Sequence, residues 1–301
     1  MAKFTPHLWF DHAARQGAEL YTSVFPDSRI THITTLRDTP SGDADVVSFE
    51  LAGQPFMAIN GGPYFKPNPS VSFLVRYSTQ EEVDSAWEKL LPGGMALMEL
   101  GEYPFSQRFG WLQDRFGFSW QLLYTNGEAF SQKIVPMVMF VGSVCGRAEE
   151  AVNFWDSVFH PAQIGEIMRY GKGEEPDKPG TVKLASFWLM GVEFAAIDSA
   201  WDHKFAFNEA ISFMVSCEDQ AEIDYYWQKL SAVPEAEQCG WLKDKFGLSW
   251  QVTPSEMDEM MARGTPEQID RVTQAFLPMK KIDIAQVRAA YRGEAWISAM
   301  S

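Results

Sequence analysis

The sequence predicts an α+β protein built from two tandem copies of one domain, each copy holding two strand–helix–strand–strand–strand units. Internal duplication is the first observation behind this. Gly110-Trp111-Leu112-Gln113-Asp114-Arg115-Phe116-Gly117-Phe118-Ser119-Trp120-Gln121 recurs 130 residues on as Gly240-Trp241-Leu242-Lys243-Asp244-Lys245-Phe246-Gly247-Leu248-Ser249-Trp250-Gln251. A repeat of this length, with two Trp in each copy, sets the architecture before any single element does. Size is the second: 301 residues exceed what one core usually supports, and an apolar content of 46% is enough for two. The third is that strand-like and helix-like stretches follow the same order in both halves.

The elements follow in order. His7-Leu8-Trp9-Phe10 alternates as a short strand. Residues 13–25 read as a helix, with Ala14, Ala18, Tyr21 and Phe25 at helical spacing and Pro26 as the stop. Residues 29–36 are a Thr- and Ile-rich strand, 38–45 a polar turn, and 46–51 with 55–59 a hairpin across Ala52-Gly53-Gln54. A second unit opens with a strand over 71–77. Its helix starts at Thr79 with Glu82 completing a capping box. A strand over 96–100 and the Trp111/Trp120 hairpin close it. On the last strand Ser119, Gln121 and Leu123 share one face, while Phe118, Trp120 and Leu122 share the other. The second half repeats the programme: residues 136–141 answer 6–11, 154–159 answer 20–25, 185–191 answer 47–53, 211–215 answer 71–75, and Trp227 answers Trp87.

These matches predict a first domain over 1–125, a linker over 126–133, a second domain over 134–254 and a helical tail over 255–301. The tail's apolar stripe (Ile269, Val272, Phe276, Leu277) needs a surface to cover it, and the second domain is the expected one. The Trp111, Phe116 and Trp120 set reads as architecture, with Trp120 under the helix that carries Trp87, and Cys239 reads as a core residue in the place of Phe109.

A net charge of −15 repels phosphate backbones, which argues against a nucleic-acid partner. No stretch is apolar for long enough to span a bilayer, so no membrane association is expected. The first residues carry no apolar signal core, which makes a cytoplasmic location the default. Three cysteines without a CxxC pair point to neither a disulfide framework nor a zinc site.

Each copy resembles the vicinal-oxygen-chelate superfamily of glyoxalase I, bleomycin-resistance proteins and extradiol dioxygenases. It is closest to the PhnB-like family labelled "3-demethylubiquinone-9 3-methyltransferase". The residues that carry this are Thr5-Pro6-His7-Leu8-Trp9-Phe10-Asp11, Leu51-Ala52-Gly53-Gln54-Pro55-Phe56, both copies of the Trp hairpin, and Met279-Lys280-Lys281-Ile282-Asp283-Ile284. The resemblance implies two glyoxalase/bleomycin-resistance-like domains, each folding its two units into a curved sheet around a ligand cup. In metal-binding relatives the ion is held at the first, fourth, fifth and eighth strands. Carried over, those places are His7, Met57, Ser72 and Gln121 in the first copy, and Met137, Ala195, Ser212 and Gln251 in the second. One imidazole among thioether, hydroxyl and amide donors is a poor divalent site, so no metal and no other cofactor is expected.

The expected ligand is then a small apolar or planar molecule in the first copy's cup, bound without a metal. Trp9, Ser72, Arg76, Ser119 and Gln121 are the candidate contacts, with His7 as a general base near its ordinary pKa. A packed His7 that hydrogen-bonds Gln121 or Ser119 is the bland reading of the same residue. Two alternatives stand beside this. One is a metal-dependent glyoxalase- or dioxygenase-like enzyme. The other is methyl transfer, as the family label says, for which no Gly-rich methyl-donor turn follows a strand. A structural or regulatory module is the third class, and further assembly into a homodimer is left open.

Overall fold

The computed structural model describes residues 3–294; Met1 and Ala2 of the expected first domain and 295–301 of the expected tail lie outside the described residues. The first unit comprises β1 (Phe4–Phe10), α1 (Ala14–Val24), β2 (Arg29–Thr39), β3 (Gly42–Leu51) and β4 (Gln54–Asn60). The second holds β5 (Val71–Tyr77), α2 (Gln80–Leu90), β6 (Met95–Tyr103), β7 (Ser106–Gln113) and β8 (Ser119–Tyr124). The third holds β9 (Ile134–Phe140), α3 (Ala148–Val158), β10 (Ala162–Arg169), β11 (Val182–Leu189) and β12 (Val192–Asp198). The fourth holds β13 (Ile211–Cys217), α4 (Gln220–Leu230), β14 (Trp241–Lys243) and β15 (Ser249–Pro254). The tail forms α5 (Ser255–Arg263), α6 (Pro266–Phe276) and α7 (Ile284–Arg292). Thr79 and Glu82 make the expected capping box on α2.

Three expectations change. The polar stretch 38–45 is mostly strand, because β2 and β3 run on to a tight turn at Pro40-Ser41. The fourth unit also lacks a strand equivalent to β6, since ten fewer residues separate Trp227 from Trp241 than separate Trp87 from Trp111. In its place the tail docks: Cys239 N–H donates to Met279 O and Gly240 N–H to Lys280 O, both at 2.7 Å. Cys239 sits here in a left-handed turn, half-buried, and not at a core position.

Two mixed sheets result, and they cross the repeats. The seven-stranded sheet has the order β14-β15-β13-β1-β4-β3-β2, joining the first unit to the fourth. The eight-stranded sheet has the order β10-β11-β12-β9-β5-β8-β7-β6, joining the third to the second. The seams are antiparallel, His7 opposite Ser212 and Ser72 opposite Met137. Each sheet thus contains two units, as expected, but the expectation that one copy wraps its own two units around one cup is corrected. Each cup takes one unit from either copy.

The helix-side faces form the core. In the first copy Trp120 packs on Tyr21, Phe25 and Phe73, so α1 covers it, while Trp87 of α2 lies over Gly110. The second copy repeats this with Trp250 against Phe159, Phe213 and Trp155. The Asp of the repeated motif is the hub. Asp114 Oδ1 accepts from the N–H groups of Phe116 and Phe118, and Oδ2 from Tyr21 Oη at 2.7 Å and Trp120 Nε1 at 2.9 Å. Asp244 does the same with Phe246, Leu248, Trp155 and Trp250. Burial pushes both carboxyls above the usual carboxylate range, and the four donors to each oppose that rise. The motif is therefore a turn whose acid ties the last strand to the first helix of its own copy.

The tail packs on more than the second copy. Thr34 of β2 donates to Met261 O, and Arg37 pairs with Asp270 of α6. Residues 279–280 hold the opposite edge, beside β14. The tail therefore links the two edges of the seven-stranded sheet. Among the described residues no helix is long and apolar enough to cross a membrane.

Candidate functional site

On β1 the residues facing the helices are fully buried (Leu8, Phe10), whereas Thr5 and Trp9 on the other face are half-buried. β3 and β4 show the same alternation, with Val46, Ser48, Met57 and Ile59 half-buried. The non-helical face of the seven-stranded sheet is therefore a hollow that solvent reaches over β1, β3 and β4, while on β13 and β15 its residues Ser212, Ser249 and Gln251 are buried.

His7 lies at its centre, between Met57 of β4 and Ser212 of β13 in the strand register. The imidazole is 3% exposed, its ring edge-on to Trp241 at 5.3 Å. Its Nδ1 has no hydrogen-bond partner among the described residues. Burial lowers its pKa to about 3, so at neutral pH the ring is uncharged, with one nitrogen a donor and the other an acceptor. A proton acceptor this weak is far from the near-neutral base expected from its ordinary pKa. Ser249 Oγ, on the same face of β15 as Gln251, is a second buried atom without a partner. Gln251 donates to Ser212 Oγ at 2.9 Å.

Aromatic rings wall one end. Trp9 stands edge-on to Phe65 at 5.0 Å and to Trp241 at 5.8 Å. Its Nε1 donates to Gly62 O at 2.8 Å, which fixes the indole plane. Gly61 makes room for that plane, since a Cβ there would stand 2.2 Å from the indole ring.

The other predicted contacts lie in the second hollow. Gln121 donates to Ser72 Oγ at 2.9 Å and approaches Met137 Sδ at 3.1 Å. Ser119 Oγ accepts from Trp111 Nε1 at 2.7 Å. Arg76 is forked on Glu193 of β12, at 2.7 and 2.6 Å. Around them Leu74, Phe109, Val135, Met137 and Ala195 form an apolar cluster of their own. His7 and Trp9 are thus separated from Ser72, Arg76, Ser119 and Gln121, and the bland pairing of His7 with Gln121 or Ser119 does not occur. Trp241 and Glu193 also line these hollows, and sequence reasoning missed both; Trp241 is the second-copy counterpart of Trp111, which was read as architecture.

The four metal places reassort with the sheets. The first hollow offers His7, Met57, Ser212 and Gln251; the second offers Met137, Ala195, Ser72 and Gln121. Gln251 and Gln121 turn amide N–H groups toward the serines, so they act as donors in both places. Neither set supplies the carboxylate or the several imidazoles that a divalent ion needs, and the described residues contain no cluster of three His, Cys, Asp or Glu able to hold one. The donor sets do not fit a metal.

A family model described as 3-demethylubiquinone-9 3-methyltransferase matches twice, over residues 2–123 and 132–253. A solved chain described as a 3-demethylubiquinone-9 3-methyltransferase, PhnB protein, from Bacillus cereus is 38% identical over 41% of this chain and 99% of its own, with a TM-score of 0.38. Glyoxalase I from Zea mays is similar over 87% of this chain and 98% of its own, with a TM-score of 0.54 at 10% identity, a likeness of fold alone. No functionally curated protein matches the chain.

Proposed function

The chain belongs to the 3-demethylubiquinone-9 3-methyltransferase family of PhnB-like proteins, and from that premise we propose that it binds a small planar or apolar molecule in the His7 hollow without a metal. One observation carries the reading: two buried polar atoms without partners, His7 Nδ1 and Ser249 Oγ, lie on the same face of the sheet, beside the part of it that solvent reaches. Leaving such groups unpaired costs roughly 1–3 kcal/mol each, a cost that a ligand offering matching groups removes. Trp9 and Trp241 supply flat apolar surface beside them, the mixture from which small-molecule sites are built. In this reading His7 is a neutral hydrogen-bonding anchor. It becomes a base only for a ligand that raises its pKa. Methyl transfer is not part of the proposal.

The test uses 1-naphthol, planar and apolar with a single hydroxyl, titrated calorimetrically. Saturable binding is expected, weakened about tenfold or more in His7→Phe, which fills the hollow with a ring of similar size and no polar atom. Equal binding by both proteins, or no binding by the wild type, would overturn the proposal.

A further inference from the structure

At one end of the second hollow, apart from His7, lies a cavity of about 410 Å³, lined by Arg76, Glu193, Trp188, Leu123, Phe105 and the connecting segment with Phe130. We propose that this cavity is a second binding site, for a neutral planar molecule with an amide-type edge. Its size falls within the range of small-molecule sites, roughly 300–1,000 Å³.

The ion pair decides the charge of the occupant. Glu193 is 4% exposed, and each of its carboxylate oxygens accepts one bond from the guanidinium fork, which leaves a lone pair on each. Gln132 secures both partners: its carbonyl accepts from Arg76 at 3.4 Å, its side chain donates to Glu193 O, and it accepts from Glu193 N–H. The pair is therefore held in place and carries no net charge. An anion meets Glu193 and a cation meets Arg76; Glu128, the remaining charge of the lining, is exposed, where solvent screens it. A neutral amide meets neither penalty. Its carbonyl takes one of the guanidinium N–H groups left over from the three bonds already made, and its N–H meets the carboxylate edge.

The walls decide the shape. Trp188 stands on the hollow face of β11, half-buried, and Phe105 is 57% exposed at the turn between β6 and β7. With Phe130 they bring three aromatic rings to the lining, which suits a flat aromatic body. The segment 125–131 joins the two copies, whereas at the equivalent place of the first hollow the strand β15 leads straight into α5, so this wall is not repeated there.

Three probes of one shape separate the charge states: benzamide (neutral), benzoate (anion) and benzamidine (cation). Binding is followed by proton–nitrogen NMR at the Trp188 indole N–H and the Arg76 Nε–H. Benzamide is expected to shift both signals saturably, with an affinity about tenfold or more above either charged probe. Phe130→Ala, on the connecting segment and outside the core, should weaken benzamide while leaving the rest of the spectrum in place. His7→Phe should leave it unchanged, which keeps this site distinct from the first hollow. The proposal is overturned if benzamide leaves Trp188 and Arg76 unmoved, if a charged probe binds as well or better, or if His7→Phe removes the binding.

Discussion

The two hollows stand on equivalent strands and share one pair of residues, a glutamine that donates to a serine, yet they are finished differently. Gln251 and Ser212 are accompanied by a histidine, Gln121 and Ser72 by a methionine. In the second hollow the polar atoms are satisfied internally: Trp111 donates to Ser119, and Arg76 and Glu193 hold each other. In the first, the equivalent of Ser119 has no partner, nor has His7 Nδ1. One scaffold therefore carries a face whose named polar side chains each have a partner and another where His7 Nδ1 and Ser249 Oγ have none. Duplication supplied the equivalence, and a few side chains removed it.

The comparison is tested first where the copies agree. Trp120→Ala and Trp250→Ala are each expected to cost about 3–5 kcal/mol in urea unfolding, since both rings are fully buried in matching cores. A thermal melt that hardly moves in either variant would break the equivalence of the cores.

The next effect is confined to His7. Its pKa is about 3 in the fold against 6.5 for a free imidazole, so between those values the unfolded chain binds a proton that the fold refuses. The contribution of His7 is thus fully present above the unfolded value and is lost as pH falls, by roughly 2–3 kcal/mol near pH 4.5. His7→Met, which copies the residue at Met137, should lose that share of the acid sensitivity, and Met137→His should bring it to the other hollow. Parallel pH–stability curves for wild type and His7→Met would show that the imidazole is not desolvated.

Gly61→Ala should cost about 1–2 kcal/mol by pushing the Trp9 ring aside, and should weaken 1-naphthol more than it lowers the melting temperature. The second hollow, which lacks Trp9, should keep its affinity for benzamide in that variant. Arg37→Ala is expected to change stability by less than about 1 kcal/mol, because its pair with Asp270 is exposed. A larger loss would mean that the tail holds the first hollow in shape.

Much of this was readable in the chain. Period-two alternation and helical spacing identified the units, and the Trp hairpin marked their duplication, because these are local properties of a few neighbouring residues. The role of Asp114 was not read, since its partner Tyr21 stands far away in sequence. The missing strand of the fourth unit had a signal that went unused, the shorter spacing between Trp227 and Trp241. For the sites, His7 and Trp9 were recognised as facing a hollow, but grouped with residues of the other one.

That grouping marks the boundary between local and long-range information. Which residues face the helices and which face a hollow follows from the chain alone, because side chains alternate along a strand whatever its neighbour is. Which unit lies beside which does not. The first strand of a copy pairs through backbone N–H and C=O groups that are the same in every residue except proline, and duplication gives it two equivalent edges to meet. Only packing of the complete chain put His7 opposite Ser212 and Ser72 opposite Met137, and with that choice made two different hollows from one repeated sequence.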